Sequence, residues 1–246
     1  MKTNTLFALS VASCLVAHAA CAEGLTPPRD PFEHVNRAVN EFNYSADKFT
    51  LRPAATVYEQ RLPLPVRNGI SNFFGNLGDA WSAVNSALQL KGGDAAQDVF
   101  RFAFNSVFGL AGVLDIAGDA GVERHKADFG MTLASWGVPS GPYIELPIFG
   151  PSTLRDTLAM PVDWIGNPIK YVTPVAGRTA LTVGRAIDVR ARVLPIDPML
   201  DTAIDRYTLT RDMALQHRQA EIAGDRSDAL QAGASEATPQ SLPQGQ

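Results

Sequence analysis

Two cysteines carry the most direct chemical implication in this sequence. Cys14 and Cys21 lie within or at the end of an N-terminal apolar stretch, and no cysteine follows them. No disulfide therefore staples the body of the chain, even in an oxidising compartment. A cysteine at the end of such a stretch points instead to acylation of a new N-terminus. Val11-Ala12-Ser13-Cys14 has the local form of a lipobox but leaves a very short signal. Ala19-Ala20-Cys21 offers the right small residues at a better length, with His18 where an aliphatic residue is usual. Plain cleavage after Ala19 or Ala22 also satisfies a small-x-small rule. Lipidation at Cys21 is the favoured reading, ahead of Cys14 and of plain cleavage.

Other reactive groups are sparse. The histidines are His18, His34, His125 and His217. His125 with Asp119 or Asp128 could contribute to a Ser-His-Asp site, but a histidine following Glu123-Arg124 fits solvent exposure better. The sequence contains no GxxxxGK[ST] loop, GxSxG elbow or HExxH helix, and its mature part has no His/Cys/carboxylate cluster. No cofactor, metal or enzymatic activity is expected, and the chemistry reads as noncovalent. A formal net charge of -4 without any Lys/Arg cluster argues against nucleic acid, which requires basic patches.

The elements that would position these groups begin after a signal peptide. Met1 to Thr5 forms a short n-region with one positive charge, and Leu6 to Val16 an apolar h-region. Small residues then lead to Ala22, so residues 1–22 read as a secretory signal and 23–29 as a polar leader. Charged residues make up only 19 % of the chain against 46 % apolar, below the usual ~25 % charged. That composition hints at a surface that does not all face water.

Asp30-Pro31-Phe32-Glu33 reads as a helix start with Asp30 as N-cap and Glu33 closing a capping box. Phe32, Val35, Val39, Phe42, Ala46 and Phe49 then recur at helical spacing, with Glu33, Asn36, Arg37, Asn40 and Glu41 on the other side. Val66–Phe74 and Leu77–Leu90 read as two helices broken near Gly75, and Gly92-Gly93-Asp94 as the cap of a helix over 95–108. The stretch 99–117 is apolar all round but for Arg101, Asn105 and Asp115. It suits either a central core helix or a re-entrant or interfacial element. A short helix is expected over 127–136. In 139–151, four prolines prohibit a helix while Tyr143, Ile144, Leu146, Ile148 and Phe149 keep the loop apolar. A helix restarts at Ser152, with prolines 161 and 168 shortening the pieces that follow. The stretch 175–194 is amphipathic again, and Asp197-Pro198 opens a last helix to about Ile222. Residues 224–246 read as a disordered polar tail, and no strand pair is evident. The fold class is all-α, with one domain over 30–223.

These motifs together resemble the MlaA/VacJ lipoprotein family. Asp30-Pro31-Phe32-Glu33, Val35-Asn36-Arg37 and Phe42-Asn43 resemble its opening, followed by Arg52-Pro53 and Pro65 to Phe73 with Gly75-Asn76-Leu77. Arg101-Phe102, Asn105-Ser106, Gly109, Gly112, Asp115-Ile116-Ala117 and Asp128 to Leu133 resemble its centre. The block Trp136-Gly137-Val138, Gly141-Pro142-Tyr143, Leu146-Pro147, Phe149-Gly150, Thr153-Leu154-Arg155-Asp156 is the most specific piece.

The resemblance implies a single helical ring-like domain embedded in the outer membrane from its periplasmic side. It implies an amphipathic channel, association with a trimeric porin, and transfer of misplaced phospholipid to an MlaC-like periplasmic carrier, which maintains lipid asymmetry. On that basis Pro139, Gly141, Pro142, Tyr143, Leu146, Pro147, Phe149 and Gly150 are candidates for a hairpin that gates the lipid path. Phe32, Phe42, Phe100, Phe104 and Phe108 are candidates to face the membrane. Arg178 and Arg185 are candidates to line the channel. Arg155 and Asp156, at the base of the loop, are expected to pair with each other rather than with lipid. An envelope structural lipoprotein and a lipid hydrolase are the competing readings.

Overall fold

The computed structural model describes residues 30–236, with side chains through Gly224. The signal segment, the leader and both cysteines lie outside the described residues. Helix α1 (Glu33–Phe49) starts two residues later than a capping box at Asp30 would require, with Phe32 in the N-cap position. Asp30 accepts instead from the Phe32 amide at 3.1 Å, and Glu33 is drawn to Arg37 at 2.8 Å. α2 (Leu51–Arg61) follows almost directly, with Pro53 in its first turn, where a missing N–H costs nothing.

α3 (Leu64–Leu88) is one unbroken helix rather than two. Gly75 does not break it: a Cβ there would lie 2.5 Å from Arg124 Nη1, so the residue is small to let that arginine cross the helix. α4 (Gly92–Phe108) likewise includes the glycine pair expected to precede it. A turn through Leu110, Ala111 and Gly112, all at positive φ, leads to the single-turn α5 (Ile116–Asp119). α6 (Phe129–Ser135) is capped by the Asp128 side chain on the Met131 amide.

A strand pair then appears where none was evident in the sequence. β1 (Tyr143–Leu146) pairs antiparallel with β2 (Gly150–Thr153), Tyr143 opposite Thr153 and Leu146 opposite Gly150. The prolines that hid it sit where a ladder tolerates them. Pro147 is in the tip, and Pro151 lies in a strand that has only one neighbour. α7 (Leu154–Gly166) carries Pro161 inside it rather than ending there. After a 3-10 turn at Pro168–Tyr171 comes α8 (Val175–Val193). The last helical stretch is interrupted: α9 (Asp197–Thr202) is followed by α10 (Arg206–Glu236). α10 continues past Gly224, through the first half of the segment whose composition suggested disorder. Residues 237–246 lie outside the described residues.

The packing closes on itself. α1 packs on α2, α2 on α8, α8 on α3, α3 on α6, α6 on α7, α7 on the hairpin, and the hairpin back on α1. α4 lies along the outside of α3 in the most extensive helix pairing, and α10 straps α1, α6 and β2. No described helix is long and apolar enough to cross a membrane.

The turn after α4 fixes where the rest of the chain can go. Gly112 has φ +92°, and a Cβ on it would lie 2.5 Å from the Asn76 Cβ. Gly112→Ala combines an unfavourable backbone with a clash against a buried helix, so it is expected to destabilise the fold by about 2–3 kcal/mol. Thermal unfolding in detergent checks this, and an unchanged melting temperature would show that the turn relaxes freely.

Candidate functional site

The side chains turned inward are the wrong ones for a water-soluble protein. The largest fully buried side chains are Arg101, Asn36, Asn76, Asn85, Asn105, Thr132, Asp79, Asp98, Asp188 and Ser86. Ordinarily such groups are exposed. Outside, meanwhile, stand Phe49 at 79 % exposure, Phe108 at 62 %, and Phe32, Phe42 and Phe100 near half. The amphipathic period of α1 is therefore real but inverted: Asn36 and Asn40 face in, and the phenylalanines face out.

α4 shows the same inversion and resolves the reading of 99–117. Asp98, Arg101 and Asn105 recur at helical spacing and form a buried polar seam. Phe100 stacks on Phe104 at 5.1 Å and Phe104 tilts onto Phe108 at 4.8 Å along the other face. Phe104 is half-buried between its neighbours. The segment is neither a uniformly apolar core helix nor a span, since its polar residues are what is buried.

Burying a charge requires a partner, and the seam supplies them. Arg101 reaches Asp115 through Nη2 at 2.7 and 2.8 Å, approaches Asp79 at 3.5 Å, and donates to the Val122 carbonyl. Arg124 joins Asp79 at 2.9 Å. Asn105 donates to Asp115 at 2.8 Å and accepts from the Ala117 amide at 2.9 Å. Burial opposes the charged form of Asp115, yet hydrogen bonds from Arg101 and Asn105 hold its carboxyl below its ordinary value. Asp79, more deeply enclosed, is pushed up by burial despite its two arginines.

Three other polar clusters tie the circuit together. On α1, Asn36 donates to the Tyr143 carbonyl at 3.2 Å and accepts from the Glu145 amide at 2.9 Å. Seven residues on, Asn43 donates to the Leu146 carbonyl at 2.9 Å and accepts from the Ile148 amide at 2.7 Å. Seven helical residues rise ~10.5 Å, and three strand residues advance ~10 Å. Two asparagines thus serve β1 as a third strand would. Asp188 on α8 accepts from Tyr58 on α2 and Ser71 on α3, both at 3.0 Å, and from Arg192 at 2.8 Å. Arg218 on α10 bridges Asp128 at 2.7 Å and Asp156 at 3.1 Å. Arg155 pairs with Asp156 at 3.0 Å, as expected for the base of the hairpin.

The sequence candidates fall into separate places. Tyr143 is buried against Glu145 and Tyr207, whereas the tip residues Pro147, Ile148 and Phe149 are exposed, Phe149 lying 5.6 Å from Trp164. Pro139 and Gly141 are exposed on the approach to β1, Pro142 half-buried. Leu146 and Gly150 close the paired strands. Arg178 donates to the Lys170 carbonyl at 3.3 Å. Arg185 is half-buried and forms no hydrogen bond or ion pair among the described residues. Burial, with Arg192 adding to it, lowers its pKa.

His125 is placed beside other carboxylates than those expected. His125 lies 3.5 Å from Asp98 and 3.8 Å from Asp94, not beside Asp119 or Asp128. Ser86 hydrogen-bonds Asp98 rather than the imidazole. Among the described residues no group of His, Cys, Asp or Glu could hold a metal ion.

Sequence reasoning passed over Asn36, Asn43, Asp98 and Asp188. The available signal was their own helical spacing, since Asn36, Asn40 and Asn43 recur at intervals of 4 and 3, as regular as the phenylalanines opposite.

Together these features define a class: a helical protein that pairs charged and amide side chains inside and turns many of its large apolar ones out, as a lipidic surrounding requires. The chain belongs to the MlaA lipoprotein family, which it matches over residues 28–221. It is 33 % identical over 225 residues to the intermembrane phospholipid transport system lipoprotein MlaA of Escherichia coli strain K12, covering 86 % of each chain. The same-named protein of Haemophilus influenzae is 30 % identical over 242 residues, covering 90 % of this chain and 92 % of the relative. A solved structure described as the structural basis for maintenance of bacterial outer membrane lipid asymmetry superposes with TM-score 0.69. It is 34 % identical and covers 79 % of this chain and 99 % of that one.

Two outcomes test the seam. Arg101→Leu removes the bidentate partner of half-buried Asp115 and weakens the hold on buried Asp79, so it is expected to cost about 3 kcal/mol. Replacing Arg101, Asp79 and Asp115 together by apolar residues is expected to cost less than the single change, as paired calorimetry would show.

The second concerns Asp98, which burial raises to about 6 against the opposing pull of His125. The folded state then holds a proton that the unfolded chain releases above pH ~4. Its contribution to stability is complete below that pH and is lost as pH rises through 6. Asp79, Ser86 and His125 face this group, with Asp94 beyond the imidazole. Asp98→Asn keeps an acceptor and carries no charge. It is expected to raise the melting temperature at neutral pH and to flatten the slope between pH 4 and 6. An unchanged slope would assign that pH dependence elsewhere.

Proposed function

We propose that this chain is a passive phospholipid-transport component of the outer membrane. It takes misplaced phospholipid from the outer leaflet, passes it to a soluble carrier of the MlaC kind, and so maintains lipid asymmetry. The observation that carries the proposal is the inverted side-chain distribution, polar groups inside and phenylalanines out, in a chain of the MlaA lipoprotein family.

A phospholipid sets two conflicting requirements. Each acyl CH₂ exposed to water costs ~0.8 kcal/mol, and a charged headgroup crossing hydrocarbon costs several kcal/mol or more. A closed circuit of helices with apolar skin and polar interior meets both, because the headgroup can follow the polar side while the skin stays in lipid. Phe32, Phe42, Phe100, Phe104 and Phe108 serve as that skin. The absence of a spanning helix among the described residues fits a domain that lies in the membrane from the periplasmic side. Association with a trimeric porin and an acyl anchor on Cys21 complete the arrangement. With no nucleotide-binding loop in the sequence, direction comes from the acceptor rather than from this chain, and its role is noncatalytic.

In this reading the hairpin gates the path through its tip. Asn36 and Asn43 fix β1 to α1, and Asn43 also holds the Ile148 amide, so opening the tip requires that one bond to break.

Deleting the gene is expected to raise outer-leaflet phospholipid several-fold, and complementation with this chain to restore it, with intact lipid rather than lysolipid recovered from the purified protein. Normal leaflet composition in the deletion strain would leave only a structural envelope role, and lysolipid would point to a hydrolase.

A further inference from the structure

α8 carries arginines at 178, 185 and 192, seven residues apart each time. Seven residues are nearly two whole helical turns, so the three share one face at intervals of ~10.5 Å, a stripe ~21 Å long. The three differ in how they are held. Arg192 is tied to Asp188 at 2.8 Å and remains half exposed. Arg178 touches one backbone carbonyl, that of Lys170. Arg185, in the middle, has no acceptor although it is half-buried. Asp188, the nearest carboxylate in sequence, is occupied by Tyr58, Ser71 and Arg192.

A guanidinium taken part-way out of water without a counter-ion is a cost to the fold. Arg101, Arg124, Arg155 and Arg218 have each been given a carboxylate. Arg185 has none, and its guanidinium is not sealed from solvent, since none of its nitrogens is among the buried unpartnered atoms. An anion can therefore reach it. Gly184, the residue before it, faces buried Phe74 instead, 3.8 Å from where its Cβ would stand. A reachable guanidinium without a counter-ion, in a row of arginines, fits an anionic group such as a phosphate.

We propose that Arg185 is a phosphodiester-binding residue for the phospholipid headgroup, with Arg178 and Arg192 as the positions before and after it along α8. This rests on the transport reading above and deepens it by assigning a headgroup class. A site with one unpaired guanidinium and further arginines to either side favours headgroups of net negative charge, such as phosphatidylglycerol, over zwitterionic phosphatidylethanolamine. Arginine suits the task because its planar fork meets two phosphate oxygens at once.

The test uses the full chain in detergent, with Arg185→Gln, Arg185→Lys and, as a control, Arg206→Gln, whose arginine pairs with Glu41 on α1. Probes are short-chain phosphatidylglycerol, short-chain phosphatidylethanolamine and inorganic phosphate, each titrated calorimetrically. Arg185→Gln is expected to weaken phosphatidylglycerol binding roughly tenfold, the loss of a charge-assisted contact, with a smaller effect on phosphatidylethanolamine. Arg185→Lys is expected to recover part of the affinity and Arg206→Gln to change nothing. Because Arg185 has no partner to lose, Arg185→Gln is also expected to melt no lower than wild type, which separates binding from folding.

Equal phosphatidylglycerol affinity in wild type and Arg185→Gln overturns the assignment while leaving transport intact. Arg185-dependent binding of inorganic phosphate as tight as that of phosphatidylglycerol also overturns it, in favour of a free-phosphate site. Wild-type protein that binds none of the lipids would remove the transport reading itself.

Discussion

Everything in this structure follows from pairing charges inside a fold whose outside is apolar. Arg101 is the centre of that arrangement. Its guanidinium spans Asp79 on α3 and Asp115 before α5, so one side chain holds three segments together. The apolar core is small, built on Phe74, Met131, Tyr143, Ile169, Tyr207 and several alanines, while many large apolar residues stand at the surface. Helix packing is therefore directed by hydrogen-bond geometry rather than by shape and volume alone. Buried polar networks of this kind specify partners closely, since a misplaced helix leaves donors and acceptors unsatisfied.

The asparagines extend the same logic to secondary structure. β1 is too short, and too rich in flanking prolines, to be stable as half of an isolated hairpin. It persists because α1 offers amide side chains at a spacing that matches the strand. Arg218 secures the other side of the hairpin through Asp156, and Arg190 secures the return from α8 to α9 by joining Asp47 to Asp197. Each of these junctions is polar and directional.

Much of the helical framework was legible in the sequence, and its polarity was not. The period of Phe32 to Phe49 located α1 and that of 175–194 located α8, because periodicity reports that two faces differ. It does not report which face is inward. That depends on whether the surroundings are water or lipid, which a single helix does not encode. The spurious break at Gly75 and the unseen strands share a cause. Glycine and proline were read as local signals, whereas here Gly75 makes room for Arg124, and the strand pairing is supported by side chains more than a hundred residues away. The unpaired state of Arg185 was likewise invisible, since a missing partner is a property of three dimensions.

The polar interior has a calorimetric consequence. Exposing apolar surface on unfolding raises the heat capacity, and exposing polar surface lowers it. A fold that hides asparagine, aspartate and arginine while already showing its phenylalanines releases little fresh apolar surface when it opens. Its heat-capacity increment should fall below the ordinary ~12–15 cal/mol/K per residue. The stability curve is then broad and shallow, so the fold changes little in stability from cold to warm, and its tolerance of temperature is set by its charges rather than by the temperature-sensitive ordering of water around hydrocarbon.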